Sequence, residues 1–127
     1  HQEARRQRQM CIRDRPPVCA KVAFDCYGDG DFQAALQATD AKHVVLCGME
    51  AHICVLQTAL GLIAGGYRVW VADDAVCSRN DRDRDSALDL MRRAGAVVAP
   101  TETLLFMWMR EAGSPAFREI SGLIKDG

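Results

Sequence analysis

HVVLCGMEAHICVLQTALGLIAGGYRVWVA, residues 43–72, decides the fold. It opens on a continuous apolar run, His43 to Cys47, which reads as a strand buried on both faces of a parallel sheet. Gly48 ends that run, and the segment from about His52 to Ala64, almost free of charge, has the length and composition of a helix. Gly65-Gly66 terminates the helix, and Tyr67 to Ala72 supplies a second strand rich in β-branched and aromatic residues. Strand, helix and strand within about 30 residues form a βαβ unit, whose crossover is right-handed almost without exception.

The same alternation continues outward on both sides. After Pro16-Pro17, Val18, Ala20, Val22 and Phe24 alternate with Cys19, Lys21 and Ala23, so an extended segment would turn Lys21 away from the apolar set. A Gly-Asp-Gly turn precedes a short helix expected from about Phe32 to Ala38. DDAVCSRNDRDRD, residues 73–85, reads as a charged loop leading to a helix from about Asp85 to Ala94. Ala87, Leu88, Met91 and Ala94 would form the inner face of that helix, and Gly95 its C′ residue. The aspartates of this loop suit a helix N-terminus, so the charge run reads as solvated loop and cap rather than a metal cage. Ala96 to Ala99 is a short strand. Thr101 can cap a helix whose centre, LLFMWM, is apolar on every side and needs cover from a sheet, a neighbour or a second subunit. Ser114-Pro115 supplies an N-cap and an N1 proline for a last helix, with Phe117, Ile120 and Ile124 on one face. The expected fold class is α/β, a three-layer α-β-α arrangement on a Rossmann-like parallel sheet, incomplete at the N-terminus.

The bulk numbers agree with a globular domain. A chain of 127 residues buries roughly two thirds of its unfolded surface. With 49% hydrophobic and 26% charged residues, its composition is ordinary for a globular protein, and no uncharged apolar run reaches the ~18 residues of a membrane span. Membrane insertion is therefore not expected. The six cysteines contain no Cys-x-x-Cys pair and are accompanied by only three histidines, which argues against structural zinc. Cys47 and Cys54 lie in or beside apolar segments rather than in disulfide-rich loops, pointing to reduced thiols in a cytoplasmic setting.

Charge is unevenly distributed. Residues 1–15, HQEARRQRQMCIRDR, carry +3, leaving −4 on the rest. A basic nucleic-acid arm is one reading, but no interleaved aromatic or periodic apolar residues support it. RQRQMCIRDR resembles translated adapter read-through at the end of a metagenomic read. Residues 1–17 are accordingly expected to be a non-native or disordered basic arm, and 18–127 the folded domain.

In an open α/β sheet, ligands collect at the carboxyl ends of strands, where loops become helix N-termini. Gly48 to Cys54 is such a turn. A cysteine there gains from the helix dipole and free backbone N–H groups, which favour thiolate over thiol and lower its pKa from the free value of ~8.5. The same N–H groups suit an oxyanion. Lys21, near a strand end, could stabilise the thiolate, while Glu50 and His52 flank the cysteine and could orient it or a substrate. From spacing alone each residue also has a structural reading: Cys54 as a small core residue, Lys21 as a surface strand residue, His52 as a helix-cap position. Cys47, inside an apolar run, reads as structural.

VVLCGMEAHICVLQTALGLIAGGYRVWVADDAVCSR resembles the signature of the isochorismatase-like cysteine hydrolases, the superfamily of nicotinamidase and N-carbamoylsarcosine amidohydrolase. The resemblance is strongest to the isochorismatase domain-containing proteins, through the pattern Gly48-x-Glu50-Ala51-x-x-Cys54, the loop Asp74-Ala75-x-x-Ser78-Arg79 and the closing PAFREISGLIK helix. It runs from about Val18 to Lys125. It implies that Cys54 is the nucleophile and Lys21 the catalytic lysine. It also implies a cis peptide at Met49-Glu50, where the backbone near Ile53 and Cys54 would face an oxyanion, with His52 beside the substrate. The implied reaction is hydrolysis of an amide-like C–N bond in a small-molecule substrate through a thioester, in a homo-oligomer.

One departure matters. The family's general base is an Asp at the end of a strand upstream of everything matched here. Asp14 lies in the basic arm and Asp25 stands where relatives have Ser, so neither replaces it. The resemblance thus implies an N-terminally truncated chain with little turnover. There is no basis for a metal or any other cofactor. The competing expectation is a non-catalytic α/β module that binds or oligomerises through its apolar helices.

Overall fold

The computed structural model describes residues 17–127. The basic-arm reading concerns residues 1–17 and so falls almost entirely outside the described part. The sheet is parallel and three-stranded, in the order β1 (His43–Met49), β2 (Arg68–Cys77), β3 (Val97–Ala99). Five α-helices accompany it: α1 (Gly30–Ala38), α2 (Leu56–Ala64), α3 (Asp81–Ala94), α4 (Thr101–Met109) and α5 (Pro115–Lys125).

Strand alternation on β2 divides the core. Val69 and Val71 point to one face, where they meet Ala59 and Leu62 of α2 and Ala87, Leu88 and Met91 of α3. Phe32 and Leu36 of α1 pack against the same cluster. Trp70 and Ala72 point to the other face and meet Ala99 of β3 and Leu104 of α4. Helices on both faces give the three layers expected of alternating β and α segments. Helix α5 packs onto α4 through Phe117 and Phe106, whose rings meet edge-on at 5.7 Å.

Local chemistry explains the ends of these elements. Gly95 takes φ 108 just beyond α3, a left-handed conformation that costs glycine little. Ser114 accepts from the Phe117 N–H at 3.2 Å, with Pro115 in the first helical turn. The start of α4 differs from expectation. Thr101 is already helical and the preceding residue is Pro100, so the cap comes from β2: Asp74 Oδ1 accepts from Thr101 N at 2.8 Å and from its Oγ1 at 2.7 Å. Those bonds hold the Asp74 carboxyl below the usual aspartate pKa.

Several expectations are corrected. His43 to Cys47 is a strand, but not one buried on both faces: Val44 and Leu46 pack inward while His43, Val45 and Cys47 are exposed. Among the described residues β1 has a paired neighbour on one side only, β2. Val18 to Phe24 is not a strand. It lies as irregular chain with Val22 100% exposed, because among the described residues no strand edge is hydrogen-bonded to it to repay an extended conformation. Asp73 to Cys77 belongs to β2 rather than to a loop, and α3 accordingly begins at Asp81. The helix after β1 is preceded by a turn of π-helix, Ala51–Val55, so Cys54 lies in that turn rather than in the first turn of an α-helix.

Candidate active site

The turn that carries Cys54 is anchored from below and clamped from the side. Ala51 and Val55 are buried in the core, which leaves Cys54 half-buried between them. The Met49–Glu50 peptide is cis, at the position the resemblance implies. The N–H groups of Ile53 and Val55 both donate to the Glu50 carbonyl at 3.2 Å. Ile53 N–H, expected to face an oxyanion, is therefore engaged inside the turn.

The lateral clamp comes from the loop after β2. Met49 and Cys77 are paired in the sheet, so the residues that follow each strand emerge side by side. His52 Nδ1 lies 2.8 Å from Ser78 Oγ, and Glu50 Oε2 accepts from the Arg79 backbone N–H at 3.1 Å. The same carboxylate oxygen sits 3.6 Å from His52 Nδ1 and 3.7 Å from Arg79 Nε. Arg84 fixes the base of this loop, donating to the backbone carbonyls of Asp73 and Val76. Glu50 and His52 are thus directed at the β2–α3 loop, and neither lines the cavity beside Cys54.

That cavity, about 160 Å³, is bordered by Cys54, Lys21, Cys26 and Cys47 over apolar walls that include Leu46 and Val55. The tertiary structure brings Lys21 to the border of the Cys54 cavity without the strand that the alternation suggested. Lys21 Nζ donates to Ala23 O at 2.9 Å. The segment following Lys21 is fastened to α2, with Cys26 N–H donating to Thr58 Oγ1 at 2.9 Å. Asp25 accepts from the Tyr27 N–H at 2.8 Å and caps the short 3-10 turn Cys26–Gly28. Its carboxylate and the Tyr27 ring lie where Gly61 and Gly65 carry no side chain, so larger residues there would collide with them. Asp25 therefore has a capping and packing role and does not line the cavity.

Three participants were not assigned roles from the sequence: Cys26, Ser78 and Arg79. Ser78 and Arg79 belong to a recognisable loop motif, which was a usable signal. Nothing in the spacing of Cys26 points to Cys54. No group of His, Cys, Asp or Glu among the described residues is arranged to hold a metal ion. No helix among them is long and apolar enough to cross a membrane.

Comparison with known proteins agrees with this geometry. A family model described as the Isochorismatase domain matches residues 9–103. The chain is 46% identical over 85 residues to a protein of Phytophthora sojae named secreted isochorismatase effector Isc1, covering 67% of this chain and 40% of that protein. It is 45% identical over 115 residues to isochorismatase domain-containing protein 2A of Mus musculus, covering 91% of this chain and 53% of the mouse protein. A solved structure described as an octameric hydrolase of unknown specificity from Escherichia coli shares the fold, with a TM-score of 0.74 at 24% identity over 91% of this chain and 63% of that one. The chain spans about half the length, or less, of the curated relatives it matches. The glycine–glutamate turn, the cysteine at its end, the Ser-Arg loop beside it and these matches lead to one assignment: the chain belongs to the isochorismatase-like hydrolase family.

Proposed function

We propose that this chain carries the nucleophile of a cysteine hydrolase that cleaves an amide-like C–N bond in a small molecule through a thioester. The observation that carries the reading is that Cys54 and Lys21, from distant segments, border one small cavity at the carboxyl end of the sheet. An ammonium close to a thiol favours the thiolate, the form that attacks a carbonyl carbon. In the reaction Cys54 Sγ forms a bond to that carbon and the carbonyl electrons move to oxygen. The tetrahedral species then collapses, expelling the protonated amine or ammonia, and water cleaves the acyl-enzyme. Backbone N–H groups of the Met49–Cys54 turn are the donors for the oxyanion. Ile53 contributes only by exchanging its bond to the Glu50 carbonyl. His52 enters as a residue that holds the turn, through Ser78, rather than as a substrate contact.

A base is also needed, to take the thiol proton and to activate water. Among the described residues no carboxylate lines the cavity, so reactivity at Cys54 is expected to exceed turnover by this chain. Iodoacetamide labelling across pH tests the reading. Alkylation of Cys54 ahead of the other cysteines is expected, slowed in Lys21→Ala, with no ammonia released from nicotinamide or simple amides above background. Slow, uniform labelling of all six cysteines would discard the nucleophile.

The competing reading, a non-catalytic self-associating module, draws on a different observation. Met107 and Trp108 of α4 are 47% and 51% exposed, and Val45 and Val97 are uncovered on the same side of the sheet. Sedimentation against concentration tests this: a defined oligomer lost in Trp108→Glu, together with uniform cysteine labelling, would favour it.

A further inference from the structure

We infer that Cys26 is the resolving thiol of a peroxide-responsive pair with Cys54, so that oxidation stores the nucleophile as a disulfide. The inference rests on Cys54 being the reactive thiol of the proposed hydrolase and adds to it a partner and a modification.

The two cysteines are 28 positions apart, and only the fold relates them. The segment Asp25–Tyr27 lies along one side of α2, the helix that follows the turn carrying Cys54. Cys26 N–H binds Thr58 Oγ1, while Asp25 and Tyr27 fill the space beside Gly61 and Gly65. Positions spaced by three and four residues share one side of an α-helix, so 58, 61 and 65 form a track along α2 and its C-cap. Cys26 is therefore held against Thr58, and it and Cys54 border the cavity that Thr58 also lines. Both cysteines are half-buried, and both border the same cavity. At about 160 Å³ the cavity exceeds several times the ~30 Å³ share of one water, so a peroxide molecule fits beside the sulfur. Cys47 also borders the cavity, but it is exposed, at the irregularity of β1 between Leu46 and Gly48, whereas Cys26 and Cys54 are both half-buried.

The chemistry needs hydrogen peroxide as oxidant. The Cys54 thiolate attacks one peroxide oxygen, the O–O bond breaks, and the departing hydroxide takes a proton to become water. This leaves Cys54 as a sulfenic acid, oxidised by two electrons. The Cys26 sulfur then attacks that of Cys54, and the S–O bond breaks. Hydroxide leaves and takes the proton released by Cys26, and the S–S bond forms. Overall, two thiols and one peroxide give one disulfide and two waters. An added dithiol reduces the disulfide back to two thiols, becoming a disulfide itself, whereas a sulfinic acid at Cys54 would be permanent.

The test uses the full chain, reduced and then treated with an equimolar amount of hydrogen peroxide. Peptide mapping without reduction is expected to find Cys26 joined to Cys54, with iodoacetamide labelling of Cys54 lost and then regained after dithiothreitol. Cys47→Ser should behave in the same way. Cys26→Ser keeps the backbone N–H that seats the segment on Thr58, yet with a several-fold excess of peroxide, enough for the two equivalents a sulfinic acid takes, it should lose Cys54 labelling irreversibly, whereas the unsubstituted chain regains it. A link from Cys54 to Cys47, Cys11 or any other cysteine overturns the assignment. So does irreversible oxidation of Cys54 in the unsubstituted chain, when the reduced protein labels selectively there. If the reduced protein shows no selective labelling of Cys54 and peroxide oxidises its cysteines indiscriminately, the hydrolase reading falls along with the pair.

Discussion

Both faces of the sheet carry apolar residues, but they are unequally covered in structure. On the face covered by α1, α2 and α3, Val71, Leu62 and Met91 are fully buried. On the face covered by α4, Leu104 is buried, but Met107, Trp108 and Val97 keep 41–51% of their exposure. The candidate active site is built on the closed face, where Val55 of its turn joins the core and Thr58 holds the Cys26 segment. Rigidity under a reactive group comes from burial around it, and here only one face supplies that.

The largest test of this contrast is truncation on each side. Leu62→Ala or Met91→Ala should cost about 2–5 kcal/mol in urea unfolding, from lost burial and the cavity left behind. Trp108→Ala should stay within about 0.5 kcal/mol of the parent. An equal loss at Trp108 would mean that its face is covered in solution.

A smaller effect is expected where the Cys26 segment meets the closed face. Thr58 is 3% exposed and its hydroxyl accepts the Cys26 N–H. Thr58→Val keeps the shape but leaves that donor without a partner, at a cost of about 1–3 kcal/mol. Thr58→Ser should restore most of the loss. Cys26 should also label faster in Thr58→Val than in Thr58→Ser, since the bond fixes its position; identical rates would detach the segment from the site.

The smallest effect belongs to the open face, where Asp74 caps α4. Asp74→Ala should cost about 0.5–2 kcal/mol near neutral pH, the usual worth of an N-cap. The bonds from Thr101 lower the folded-state pKa of Asp74 beneath its ordinary 3.8. The stabilisation is then fully present above the unfolded pKa and disappears as pH falls through the folded one. Urea unfolding of the two proteins should differ at pH 6 and converge well below pH 4. A difference that persists in acid would mean that the hydroxyl of Thr101, rather than the charge of Asp74, dominates.

Much of the architecture was legible because its signals are local. The βαβ unit of residues 43–72, the glycine after α3 and the Ser-Pro start of α5 follow from period, propensity and capping within a few residues. The family pattern around Cys54 was legible for the same reason. The misreadings were long-range. Val18 to Phe24 alternates like a strand, yet no strand is hydrogen-bonded to it among the described residues. His43 to Cys47 is apolar like a central strand, yet one of its faces is open. Thr101 has the chemistry of a cap, yet the cap is Asp74, 27 positions away.

The amino-acid sequence by itself determined the alternation of elements, the turn on which Cys54 sits and the family to which the chain belongs, since each depends on residues close together along the chain. Only the tertiary structure decided that Lys21 and Cys26 border the Cys54 cavity, that Glu50 and His52 are held by the Ser78-Arg79 loop, and that one sheet face is closed while the other stays open. Those outcomes depend on which distant surfaces cover one another. The free energy of burial acts on that coverage, which apolar pattern alone does not encode.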